Sequence, residues 1–414
     1  MEQKLFTKNF TLLVLGQTSS LFGNYILRLA LSMYILEVTG SAAVFAGILS
    51  AASIPTILLS PVGGILADRA DRRKIMVALD TLTGISVLCA AVFLSEENAI
   101  AVIGVLLIVL SVLGAFETPT VQACIPQMLS GDNIIKGNAV VNQAASVSYL
   151  TAPFLGGILY AAVGLKPVMY ASVICFFITA LFECYIKLGY HARNFEGSIL
   201  SMVKNDFSGS IRFIMKERAD IMKMLLLAAL SRFFVMGAAL VGLPFLVRTV
   251  LGLDAKFYGG AESALAVATV LGSIAAGFLT GKLKSGRLSY VLAAVGACII
   301  PAGAVFLFPS GVFIKYAVCV VSFCGMQAAV SIFSIFAVSM IQQNTPDDMT
   351  GKIMSYTSAV TMCVQPAGQM VYGFLFDRFR ETVSFVLIPS GIIVCVIGLC
   401  ATGFFGKLGK SRVA

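Results

Sequence analysis

The sequence predicts an all-α integral membrane protein, with twelve spanning helices in two pseudo-symmetric bundles of six. Three observations predict it. The 414 residues are 58% hydrophobic and only 12% charged, where a soluble domain carries roughly 25% charged residues; mean hydropathy is +0.95. Apolar runs of the ~20 residues needed to cross a bilayer recur twelve times. The largest break, from about Gly189 to Asp220, divides those runs six and six.

The first run, 10–36, has no small-residue cleavage site and exceeds the ~7–15 apolar residues of a secretory signal, so it reads as a retained helix. The second, 42–66, contains Pro55 and Pro61 and leads into "GGILADRADRRK", Gly63 to Lys74, a dense knot of charge. The runs 75–95, 99–123, 138–163 and 168–188 follow, carrying Asp80, Glu117, Pro153 and Glu183 in that order. Beyond the break come 221–247 with Arg232, 257–281 with Glu262, 288–308, 312–340, 353–376 with Pro366, and 383–405. Prolines inside such runs are tolerated because neighbouring groups satisfy the freed backbone. The chain therefore divides into a bundle over 1–188, a linker over 189–220 and a bundle over 221–414. In the linker Val203, Phe207, Ile211 and Ile214 recur at helical spacing between charges, which suggests an amphipathic helix on a membrane face; a solvated linker is the alternative.

Loop charge gives an orientation. With the N-terminus inside, 21 of the 29 Lys and Arg fall in inner loops and six in outer loops, while Arg28 and Arg232 lie within helices. Basic loops face the cytoplasm, so both termini are expected there, in a bacterial plasma membrane. The same bias accounts for the net charge of +9 without invoking nucleic acid. All ten cysteines fall within helices with no C-x-x-C pair, and the lone histidine is His191. That argues against a metal centre or a Ser-His-Asp triad. With no Walker A loop and no G-x-G-x-x-G after a strand, the reading is a non-enzyme without cofactor or metal, expected as a monomer whose partners are the bilayer, a small-molecule substrate and protons.

The two halves carry corresponding landmarks. "IPQMLSGDNIIKGNAV" after the fourth run answers "IQQNTPDDMTGKIMS" after the tenth, and "APFLGGILY" (Ala152–Tyr160) answers "QPAGQMVYG" (Gln365–Gly373). Paired halves of this kind mark a repeat-built transporter.

"GGILADRADRRK" resembles the helix 2–3 signature of the major facilitator superfamily, with Gly64, Leu66, Ala67, Asp68, Arg69, Arg72, Arg73 and Lys74 matching and Asp71 where the general pattern has glycine. "FETPTVQACIPQML", "GNAVVNQ", "VKNDFSGSIRFI" and "IQQNTPDDMTGKIMS" are similar to the macrolide-efflux and enterobactin-exporter subgroup of drug:proton antiporters. The resemblance spans essentially the whole chain. It implies the major facilitator fold, alternating access, and an Asp68 that braces one bundle against the start of helix 11, about Gly351 to Ile353. The local alternative is that Asp68 pairs with Arg72, one turn on. The helix 5 motif of such antiporters, G-P-x-x-G-G, stands here as Ala152, Pro153, Phe154, Leu155, Gly156 and Gly157. Many antiporters also carry an arginine early in helix 4, and this chain has none there.

Polar groups at bilayer depth are the functional candidates, since a charge at a helix centre costs about 2.5–3.5 kcal/mol on insertion scales. Gln17, Asn24, Tyr25 and Arg28 lie in helix 1, Arg232 and Phe233 in helix 7, Met326, Gln327 and Phe333 in helix 10, and Glu117 in helix 4. The resemblance implies that helices 1, 4, 7 and 10 line the central path. Glu117 is the best-placed carboxylate for exchanging a proton against substrate; the structural alternative is an ion pair between Glu117 and one arginine. Asp80 and Glu183 are expected near enough to the inner face to be partly solvated. Export of a small amphipathic compound driven by protons follows, with an importer or uncoupled facilitator as the first alternative and a transport-dead sensor or scaffold as the second. The two embedded arginines argue mildly for an anionic or carbonyl-rich substrate.

Overall fold

The computed structural model describes residues 5–188, 219–280, 285–343, 345 and 350–405. The linker with its expected amphipathic helix (Val203, Phe207, Ile211, Ile214) lies outside the described residues, as do the side chains of Asp68, Arg69 and Lys352. Among the described residues there are twelve long helices: α1 (Lys8–Thr39), α2 (Ala42–Arg69), α3 (Arg72–Phe93), α4 (Ala99–Met128), α5 (Asp132–Val163), α6 (Leu165–Cys184), α7, α8 (Ala255–Leu279), α9 (Leu288–Ala304), α10 (Val312–Gln343), α11 (Thr350–Arg378) and α12 (Ser384–Cys400). Helix α7 starts as an α-helix over Ala219–Val235, widens into π turns over Met236–Gly242 and Leu246–Val250, and has Leu243–Phe245 between them. Eleven of the twelve are long and apolar enough to span a bilayer. The twelfth, α11, is 29 residues long but carries Gln365, Gln369, Asp377 and Arg378.

Several helices outrun the apolar stretches that predict them. At 1.5 Å per residue the 30 residues of α4 reach about 45 Å, against a hydrocarbon core of ~30 Å. Both α4 and α5 therefore extend past their apolar runs, to Met128 and from Asp132, and meet in a short turn. Turns elsewhere are as short: Gly40 (φ 57°) and Gly164 (φ 78°) take the left-handed backbone that lets α1 turn into α2 and α5 into α6 at no steric cost.

The described residues fall into two compact units. The first draws on Met1–Val38, Ala51–Ile199 and Asp254–Ser263, the second on Thr39–Ser50, Leu200–Leu253 and Ala264–Ala414. In the first unit α6 hydrogen-bonds along α1: Ser172 Oγ donates to Gly23 O (3.1 Å) and Thr179 Oγ1 to Gly16 O (2.9 Å). Small residues at such seams let helix backbones approach closely. In the second unit α9 and α12 meet through Gly296 and Gly391, where an added Cβ would come within 2.3 Å and 2.7 Å of the other's carbonyl oxygen.

Proline and glycine cooperate at two further contacts. Pro119 leaves the carbonyl of Ala115, four residues earlier, without its helix donor. That oxygen lies 2.3 Å from where a Cβ of Gly63 would stand, so α2 can pass α4 only with glycine there. Neighbouring Gly64 faces open space instead. On α5, Gly156 lies against Ile26 of α1 and Gly157 against Ala255 and Gly259 of α8. On α11, Gly368 lies against Phe233 of α7 and Gly373 against Ala42 and Ala46 of α2. Each unit thus has one helix whose two glycines seat it on two others.

Candidate functional site

Helix α1 carries polar residues along two levels of the first unit. At the first level, Ser20 Oγ donates to Asp80 Oδ1 of α3 at 2.9 Å and stands 3.4 Å from Glu117 Oε1 of α4. Gln17, one turn earlier on α1, lies beside Glu117, and Glu183 of α6 is within electrostatic reach of both Asp80 and Glu117. Two carboxyl groups from two helices therefore meet at one serine, and a third, Glu183, stands against Asp80. Among the described residues no cation comes within ion-pairing distance of them; Arg28 acts on Glu117 only from farther away. The ion pair weighed from sequence is not formed.

Asp80 and Glu183 are not partly solvated, as the sequence suggests, but 2% and 1% exposed. The correction has a physical cause. Helix α3 begins at Arg72, three residues before the apolar run, so Asp80 sits about 12 Å along it. Glu183 does lie at the end of α6, but the chain beyond is folded over it. Asn9 Nδ2 donates to Lys187 O (2.8 Å) and Lys187 N to Asn9 Oδ1 (3.2 Å), which ties that segment to the first turn of α1 and buries Ile186. Glu117 alone of the three is half-buried.

At the second level, Arg28 Nε donates to Asn24 Oδ1 at 2.7 Å, which holds the guanidinium along its own helix. Tyr25 meets Tyr149 of α5 edge to face, with ring centroids 5.6 Å apart. The close α5–α8 crossing at Gly157 and Gly259 brings Glu262 of α8, half-buried, into electrostatic reach of Tyr149 and Tyr25. The Tyr258 hydroxyl, one turn earlier on α8, contacts the same carboxylate. Sequence reasoning noted Glu262 but did not select it, and it missed Tyr149 and Tyr258. The available signal was a lone acid in an apolar run.

In the second unit Arg232 is exposed and its Nη2 donates to Gln365 Oε1 of α11 at 3.3 Å. Phe233 and Phe234 pack edge to face with Tyr372 of α11. The π turns of α7 begin directly after this cluster, and Gly237 admits the Tyr372 ring where a Cβ would overlap it. Gln327 of α10 is half-buried, whereas Met326 and Phe333 are buried. The charge knot after α2 is partly spoken for by backbone. Arg72 donates to Ala67 O (2.7 Å) and Ala123 O (2.9 Å), Arg73 donates to Cys184 O, and the Asp71 side chain caps α3. Arg73 and Lys74 also line a groove of about 550 Å³ with Val77, Ala78, Thr81, Leu82 and Cys184.

This helical frame holds buried ionisable groups, with no metal-ligand cluster among the described residues. The sequence signature of the Major Facilitator Superfamily matches residues 13–365. The chain belongs to the Major Facilitator Superfamily. Within it, macrolide efflux protein A of Streptococcus pyogenes is 23% identical over 398 residues, 93% of each chain. The enterobactin exporter EntS of Salmonella typhimurium is 23% identical over 363 residues, covering 85% of this chain and 81% of the exporter. Among solved structures, the nucleoside transporter NupG superposes with a TM-score of 0.74 at 13% identity, over 95% of this chain and 99% of that one. A D-xylose–proton symporter superposes with a TM-score of 0.70 at 13% identity, over 94% and 96%. The superpositions carry the major facilitator fold. They span substrates too different to carry more.

Proposed function

We propose that this superfamily member exports a small amphipathic compound in exchange for protons, by alternating access of two bundles around a site near the bilayer midplane. The observation that carries the coupling is Glu117. It is a half-buried carboxyl on α4 with no cation at ion-pairing distance among the described residues, and its bridge to Asp80 is a single serine hydroxyl. A hydroxyl has one proton to donate. With that proton given to Asp80, Glu117 completes the contact only by carrying a proton of its own and donating it to Ser20 Oγ. The direction of transport is supported by two exporter relatives aligned over most of the chain, although the fold also serves a symporter.

Asn24, Tyr25, Arg28, Tyr149 and Glu262 are the substrate contacts we assign to the first bundle, and Arg232, Phe233 and Gln327 those of the second. Gln17 belongs with the proton site. Glu262 tempers the anionic or carbonyl-rich substrate inferred from the arginines alone, because it sets a carboxyl group, held by the Tyr258 hydroxyl, beside the Tyr25 and Tyr149 rings. In our reading both termini face the cytoplasm of a bacterium, the chain works as a monomer, and the turn with Asp68 and Arg69 steadies the cytoplasmic side while Pro153, Gly156 and Gly157 seat α5. The groove at Arg73 and Lys74 then lies at the inner leaflet, where its cations suit lipid phosphate.

The test is Glu117→Gln in reconstituted vesicles, with Glu117→Asp as a folding control. Driven uptake under a pH gradient should vanish while substrate counterflow persists. Driven uptake equal to the parent would remove Glu117 from the proton site and leave it a structural role.

A further inference from the structure

The carboxyl cluster behind Glu117 contains more unsatisfied polarity than a structural role needs. Asp80 Oδ2, both carboxyl oxygens of Glu183 and the amide nitrogen of Gln17 are buried, and the partners within reach are members of the same cluster: Glu183 lies against Asp80, and Gln17 against Glu117. Their residues are 2%, 1% and 6% exposed. Buried polar groups are ordinarily paired, and leaving one poorly paired is costly. Replacing buried charged or polar groups with apolar ones of similar size is often neutral or stabilising. Three carboxyl groups and an amide that reach only one another and one serine are thus a standing cost that folding does not repay.

The surroundings of the cluster are dry on one side. Phe10 and Leu13 of α1, Met76 of α3, Val121, Cys124 and Ile125 of α4, and Ile186 pack as one buried apolar cluster. They lie about one turn from Gln17, Asp80, Glu117 and Glu183 along their respective segments, toward the end of the unit that carries the α2–α3 turn. Among the described residues, the titratable or charged groups facing the cluster can be named. Helix α1 brings Gln17 and Ser20, and Arg28 at longer range. Helix α3 brings Asp80, with Arg72 beyond Met76 committed to the Ala67 and Ala123 carbonyls. Helix α4 brings Glu117 and Cys124, and α6 brings Glu183 and Cys184. Arg72 and Arg73 donate to backbone oxygens and Lys74 pairs with Asp71, and among the described residues no cation stands at ion-pairing distance from the three carboxyls.

We infer that Asp80 and Glu183, with Ser20 and Gln17, form one proton-binding site together with Glu117. The coupling proton is held jointly by the three carboxyls and exchanges through Glu117, the member that is not fully buried. Like carboxyls brought together without a cation share protons because they cannot all ionise. The serine hydroxyl supplies the relay: a proton passed from Glu117 to Ser20 Oγ is matched by one passed from Ser20 to Asp80, so the hydroxyl is unchanged and one proton has moved inward. Gln17 Nε2 is the donor aimed at whichever carboxylate is left ionised. The apolar cluster seals the far side, so the proton returns the way it came.

The inference rests on the proton-coupled reading above, and its test separates the two. The purified parent, Glu117→Gln, Asp80→Asn and Glu183→Gln are each reconstituted and challenged with a macrolide, and protons released are recorded alongside pH-gradient-driven uptake and counterflow. The infrared band of protonated carboxyls is followed through a pH titration. We expect Asp80→Asn and Glu183→Gln each to cut driven uptake at least tenfold, to move its pH profile, to remove part of the protonated-carboxyl band, and to keep counterflow within about twofold. Asp80→Glu and Glu183→Asp, which keep the acid, should retain coupling, and they stand in if either amide variant fails to fold. A parent that releases no protons overturns the coupled reading itself. A coupled parent, with Asp80→Asn and Glu183→Gln matching it in uptake, pH profile and infrared band while Glu117→Gln is inactive, overturns only the shared site.

Discussion

Removal of the Asp377 carboxylate should loosen the start of α2. Asp377 lies near the end of α11, half-buried, and accepts from three donors of the α2 N-terminus: Ser41 Oγ at 2.5 Å, Ala42 N at 2.6 Å and Ala43 N at 3.0 Å. The first amides of a helix have no partner within it, and a carboxylate there also meets the positive end of the helix dipole, worth about 0.3–1 kcal/mol. Hydrogen bonds to a charged group contribute about 1.5–3 kcal/mol. Taking about 2–3 kcal/mol for opening these two amides, and 1.4 kcal/mol per tenfold, Asp377→Ala should speed their hydrogen exchange about 30- to 150-fold. Asp377→Asn, which keeps one acceptor but loses the charge, should fall between parent and alanine. The assay is hydrogen–deuterium exchange of the peptide covering residues 39–47 in detergent, with an α9 peptide as internal reference. Exchange at Ala42 and Ala43 that is unchanged in Asp377→Ala would refute the reasoning, since the carboxylate would then carry none of the protection.

Two further predictions concern packing and orientation. A Cβ at Gly259 would stand 2.3 Å from Pro153 O, so Gly259→Ala should lower the detergent melting temperature by an overpacking cost of about 1–3 kcal/mol. Gly277→Ala on the same helix meets nothing within 4 Å and should be neutral or slightly stabilising, because alanine is the better helix former by up to about 1 kcal/mol; equal melting of the two variants would contradict the packing account. In a variant without native cysteines, Glu96→Cys in the α3–α4 turn should label with an impermeant thiol reagent in intact cells, and Ser130→Cys in the α4–α5 turn only after lysis. The reverse pattern would invert the proposed topology.

Much of the fold is legible in the sequence because a membrane span must satisfy its own backbone, so a long apolar run can be little else. The glycines of "APFLGGILY" could be read as close-packing positions, and Gly156 and Gly157 do seat α5 on α1 and α8. Depth was less legible. Asp80 and Glu183 look peripheral in the sequence because burial there depends on how far α3 extends and on the Asn9–Lys187 tie, neither of which leaves a local mark. The π turns of α7 are hidden for a similar reason: Met236–Gly242 is as apolar as an ordinary helix, and only the aromatic rings of Tyr372 and Phe376 against Gly237 and Gly242 reveal the widened turn. Asp377 could not be paired with Ala42 from a single sequence, since 335 residues separate them. Met326 and Phe333 are buried while Gln327 beside them is half-buried, a distinction within one apolar helix that composition does not mark.

The central claim is proton-driven export, and vesicles with an imposed pH gradient test it most directly. With the interior acidic, the purified parent should accumulate a radiolabelled macrolide against its gradient while protons leave, and a proton ionophore should abolish the accumulation at once. Accumulation that survives the ionophore, or equilibration without accumulation, would contradict proton-coupled antiport.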